Sequence, residues 1–114
     1  MTIRRLERSE WGEFFSFASR FIAGKRADIE TLSLQIGCRL CVRRALIHHL
    51  YYHPRRDVIE ILLTGITHPI HRPRKMYVGD CPSHLVNFTV IDADGAYQII
   101  TLYEPLMLSA PANP

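Results

Sequence analysis

The chain has 114 residues, 47% of them hydrophobic and 22% charged, with a formal net charge of +3. That length is one ordinary domain, and that balance belongs to a globular chain able to bury a core without disulfide or metal, so a disordered chain is excluded. No apolar run approaches the roughly 18 residues of a membrane span, and the arginines of MTIRRLERSEWGE are followed by acids rather than an apolar stretch, so the expectation is a cytoplasmic protein that does not engage a membrane.

Charge is unevenly placed along the chain. Residues 1–37 carry six Lys/Arg against five Asp/Glu, residues 38–75 carry eight against two, and residues 76–114 carry none against four. Neighbouring strands could pair these charges across a solvated face, or the basic middle could form a patch for an anionic partner.

The first periodic element is a helix over 10–23. Trp11, Phe14, Phe15, Ala18, Phe21 and Ile22 repeat at helical spacing on one face, which is the pattern of a helix laid across a sheet. Ser9 is the candidate N-cap, Glu10 and Glu13 suit the first turn, and Gly24 suits the C-cap. Residues 27–34 read as a strand, and Gln35-Ile36-Gly37 as a turn. Cys38 to Tyr52 then forms a long strand whose apolar register breaks at Arg44 and His48, predicting a bulge or bend near 44–49. His53 to Asp57 has turn chemistry, and Val58 to Thr64 is a largely buried strand. Pro69 and Pro73 keep the 65–73 connection out of a central ladder, and Arg74 to Val78 is the next strand. Leu85–Ile91 and Ala96–Tyr103 form a hairpin closed by Asp92-Ala93-Asp94-Gly95, with Gly95 able to take a left-handed turn position. Pro105 is expected to end the last strand, and the tail 109–114 to fray. The whole is read as a single domain, 1–114, with its sheet over 27–103. The fold class is α+β: an N-terminal helix packed on a curved, mostly antiparallel sheet of about five to six strands, able to curl into a partly open barrel.

Several segments together resemble the Domain of Unknown Function 5335 family. They are Trp11 with Phe14-Phe15; Ser33-Leu34 with Gly37; Tyr52 with Pro54 and Asp57; and Ile59-Glu60-Ile61. They continue with His68 and His71-Arg72-Pro73; Tyr77-Val78; the turn Ile91 to Gly95; and Leu102 with Glu104-Pro105-Leu106. The resemblance implies a small bacterial α+β protein with no assigned activity.

Six His and three Cys raise the question of metal. Zinc needs four converging N or S ligands. Cys38 and Cys41 point to opposite faces of a strand. His68/His71 and Cys81/His84 flank opposite ends of another. No metal and no cofactor are therefore expected. Asp92 and Asp94 suit local turn bonds better than a catalytic pair, and Cys81/His84 and Cys41/His49 lack an orienting third group, so no catalytic residue is assigned.

Two surfaces remain. Both faces of the 85–103 hairpin are apolar, and Phe88, Tyr97 and Ile99 are assigned to self-association, which makes a homo-oligomeric, non-enzymatic interaction module the leading reading, with a further protein partner open to it. The alternative is a small RNA- or anion-binding protein using Arg72, Arg74, Lys75 and Tyr77, where cations sit beside an aromatic face.

Overall fold

The computed structural model describes residues 2–81 and 84–107; the tail 109–114 lies outside them. The elements run β1 (Thr2–Leu6), α1 (Arg8–Ile22), β2 (Arg26–Ser33), β3 (Gly37–His53), β4 (Val58–Leu63), β5 (Ile66–His71), β6 (Pro73–Cys81), β7 (His84–Asp92) and β8 (Tyr97–Met107). The eight strands form one open antiparallel sheet in the order β1-β6-β7-β8-β2-β3-β4-β5. The α+β class is as expected; the five to six strands undercount it.

The helix begins two residues earlier than Ser9 implies. Glu10 reaches back and accepts from the Glu7 amide at 2.9 Å, so the first turn closes on Glu7 and Ser9 lies inside it. Trp11, Phe15, Ala18 and Ile22 are buried; of the other two members of the predicted stripe, Phe14 is half-buried against the core and Phe21 stays exposed. The aromatic rings of this stripe meet Tyr52 and Phe88 edge-on or tilted at 5.7 to 6.4 Å, arrangements that suit the ring quadrupoles.

Two strands escaped the sequence reading. β1 pairs with β6, from Thr2 opposite Asp80 to Leu6 opposite Met76. β5 runs through Pro69 because β5 is an edge: it pairs only with β4, so a residue without an N–H is tolerated there. Pro105 likewise does not end β8, which continues to Met107.

The bend expected near 44–49 is present and divides the sheet. The first part of β3 pairs with β2 and residues 47–53 pair with β4. At the break Arg44 takes a φ of 52°, a left-handed conformation that costs an ordinary residue energy. Three contacts hold it. The Arg44 amide donates to Asp28 at 2.9 Å, the Arg26 guanidinium donates to the Arg44 carbonyl at 2.9 Å, and the Arg44 guanidinium lies over Tyr103. Desolvation alone would raise the Asp28 carboxyl. The Arg44 amide, the Tyr103 hydroxyl and the Arg43 and Arg44 charges outweigh it and hold it below its ordinary value.

Because of this bend β4 and β5 fold over the inner face of the main layer, where His68 of β5 meets Gln98 of β8 at 3.2 Å. The core lies between them and under α1: Ile29, Ile47, Ile59, Ile61, Met76, Phe88 and Ile100 are all fully buried. Truncating Phe88 to Ala should cost about 3–5 kcal/mol of unfolding free energy, read from urea denaturation. A loss under about 1 kcal/mol would contradict its place in the core.

Candidate functional site

The inner face of the main layer is filled; its outer face is not. Alternation along each strand, combined with the pairing register, fixes which residues share that face. Arg5 lies opposite Tyr77, Tyr77 opposite Thr89, Thr89 opposite Ile99, Ile99 opposite Glu30, and Glu30 opposite Leu40. The next row runs Lys75, Ile91, Tyr97, Leu32, Cys38. Tyr97 is 44%, Leu32 41% and Leu40 48% exposed. The centre of the face is thus apolar and aromatic, one side carries Arg5 and Lys75, and the other carries Glu30. None of these three charges makes an ion pair among the described residues. Glu30 instead receives the Cys38 thiol at 3.6 Å; desolvation and the Glu30 carboxylate both raise that thiol's pKa.

The residues assigned to self-association divide between the two faces. Tyr97 and Ile99 lie on the outer face. Phe88 does not: it is fully buried against Phe14 and Phe15 and offers no surface to a partner. The hairpin register pairs Phe88 with buried Ile100 and sets Ile99 and Tyr97 against Thr89 and Ile91; farther along β7 comes a register shift between Leu85 and Asn87. It puts Leu85, Phe88 and Val90 together inside, where strict alternation had separated Leu85 from the other two.

The basic residues also divide. Lys75 and Tyr77 sit on the outer face beside Arg5. Arg74 is exposed within the irregular Pro73–Lys75 step. Arg72 turns the corner between β5 and β6 with a φ of 50°, and its guanidinium meets Asp94 at 3.3 Å. Sequence reasoning missed Arg5, Leu32 and Ile91, because their place depends on β1 joining β6 and β2 joining β8.

The folded-over layer has its own surface. His49, Tyr51 and His53 form a ring stripe along β3, with centroids 4.0 and 5.8 Å apart. His53 Nε2 stands 2.7 Å from Glu60, which Arg56 also reaches at 3.0 Å. Among the described residues no three His, Cys, Asp or Glu side chains converge as a metal site. A cleft of about 460 Å³ runs between α1 and β3, lined by Ser16, Ser19, Arg20, His49 and Tyr51 among others.

Between the layers, Gln98 is the hub of a polar cluster. Its Oε1 accepts from Thr31 at 2.9 Å and meets His68 Nε2, and its Nε2 lies 3.4 Å from Asp92. The cluster ties β5 to β8.

These features define a class: a small α+β protein in which a long bent strand folds an eight-stranded antiparallel sheet over one helix, leaving one broad sheet face open. The chain belongs to the Family of unknown function (DUF5335), whose model matches residues 2–111. It is 23% identical over 103 residues to an uncharacterized protein of Aquifex aeolicus (strain VF5), covering 90% of this chain and 93% of that one. No solved structure matches the chain. Several residues that carry the family resemblance meet at one place. Arg8 lies over Trp11 at 4.4 Å and bonds the Tyr52 hydroxyl, Asp57 and the Pro73 carbonyl. Trp11 donates to the Leu6 carbonyl at 3.2 Å. That cluster pins the start of α1 to two corners of the sheet, so those residues serve the fold.

Burial lowers the pKa of His68 from its ordinary 6.5, against the opposing Gln98 bond. The folded state therefore binds fewer protons there than the unfolded chain. The stability this neutral ring contributes is present in full above about pH 6.5 and is lost as pH falls toward the depressed folded value. Replacing His68 with Gln should flatten that part of the stability–pH curve, measured by urea denaturation from pH 7.5 to 5; an unchanged slope would assign it elsewhere.

Proposed function

We propose that this chain is a cytoplasmic, non-enzymatic interaction module that self-associates through the outer face of its main sheet layer. The observation that carries this reading is the contiguous band of Tyr77, Ile91, Tyr97, Ile99, Leu32 and Leu40 on one side of five neighbouring strands. Single exposed apolar residues are ordinary; a connected band of this width marks a contact surface. Five strands at about 4.8 Å spacing and two rows about 6.8 Å apart give roughly 300 Å² per copy. An interface of that size sits at the weak, reversible end of protein association. Replacing Tyr97 or Ile99 with Asp should abolish concentration-dependent mass in light scattering while leaving the melting transition in place. A wild-type chain that stays monomeric to high micromolar concentration contradicts the reading.

A second reading, anion or single-stranded RNA binding, draws on one specific observation. Arg5 lies opposite Tyr77 and beside Lys75, so two cations without an ion pair among the described residues flank an aromatic ring, an arrangement that takes phosphates and a stacked base together. Arg74 adds charge nearby. On this reading, binding of a single-stranded RNA at low salt weakens when Lys75 or Arg5 becomes Ala, and its salt dependence shrinks with each cation removed. No binding at low salt disposes of it.

A further inference from the structure

We infer that the partner for the open sheet face is a second copy related by a two-fold axis that runs parallel to the strands, between β7 and β8, which closes the assembly at a dimer. This rests on the self-association proposed above and adds its geometry. Six strands carry the face, in the order β1-β6-β7-β8-β2-β3, so the gap between β7 and β8 is their midline. Two faces can stack about this midline with the axis along the strands or across them.

An axis across the strands lays each strand on its own copy. With that axis in the row of Arg5 and Glu30, Arg5 meets the Arg5 of the second molecule and Glu30 meets Glu30, which charge repulsion disfavours. An axis along the strands exchanges the two sides. β6 then lies over β2 of the second copy and β1 over β3. Glu30 of one molecule comes to rest over Tyr77 of the other. Arg5 is one strand spacing to the side, and Lys75 one row along the strand, within reach of its flexible stem. At the centre Ile91 meets Tyr97 and Thr89 meets Ile99, and two-fold symmetry makes each contact twice. The three charges that lack ion-pair partners among the described residues of one molecule are thereby the ones that gain partners between two. Because the same patch is used on both copies, no face is left to extend a filament.

The test is a charge exchange, with self-association of the full chain followed by sedimentation velocity at low salt. Glu30→Lys and Lys75→Glu are surface changes, and each alone sets like charges together at both symmetric contacts, so each should dimerise about tenfold more weakly than the wild type. Mixed together, the two variants should recover dimer, because a Glu30→Lys molecule facing a Lys75→Glu molecule has opposite charges at both contacts. Circular dichroism melting checks that both variants fold. If the wild type associates but the single variants match it, or their mixture gains nothing, the two-fold arrangement is overturned while self-association stands. If the wild type itself never associates, the reading beneath it fails as well.

Discussion

The architecture depends on one backbone break in a 17-residue strand. β3 is shared by two sets of partners, and a straight strand of that length would keep β2 and β4 in one flat sheet. The left-handed residue at Arg44 turns it. A conformation that opposes the intrinsic preference of an arginine persists only when its surroundings supply compensating contacts, and here they come from β2 and β8: the Asp28 carboxylate, the Arg26 guanidinium and the Tyr103 ring. Tyr103 in turn donates to Asp28 at 2.7 Å, so the carboxylate that receives the bent backbone is itself fixed. The bend is therefore a joint property of three strands, set only once they have paired.

From that break the division of surfaces follows. Folding β4 and β5 over the main layer supplies one cover for its inner face, and the aromatic stripe of α1 supplies the other. Together they satisfy the large apolar residues of β6, β7 and β8 that point inward, Met76, Val78, Phe88, Val90 and Ile100. Nothing among the described residues covers the opposite side. A sheet covered on one side, with aliphatic and aromatic residues on the side that no described residue covers, is what the proposed self-association rests on. The opposed charges at its two margins give that surface a direction.

The sequence showed most clearly what periodicity encodes locally. The helix stripe from Trp11 to Ile22, the last hairpin and the irregularity after Val42 were all legible because each rests on residues near one another in the chain. β1 was hidden: five residues with two adjacent arginines have no apolar run to distinguish them from a charged terminus, and only pairing with β6 makes them a strand. β5 was hidden by Pro69, whose meaning reverses between a central strand and an edge. Phe88 was grouped with Tyr97 and Ile99 because the hairpin register, which pairs it with Ile100 instead, cannot be read from either strand alone. Of the candidate site, Tyr97 and Ile99 could be found from the hairpin alone. Arg5, Leu32 and Glu30 could not, since strand order rather than chain order brings them beside it.

The central claim is that the outer face of β6, β7, β8 and β2 is where molecules meet. Amide chemical shifts of isotopically labelled protein, followed as concentration rises, report this directly. The account predicts progressive shifts clustered at Tyr77, Ile91, Tyr97, Ile99 and Leu32, with β4 and β5 unmoved. Spectra that do not change with concentration, or changes confined to the His49–Tyr51–His53 side of the molecule, would contradict it.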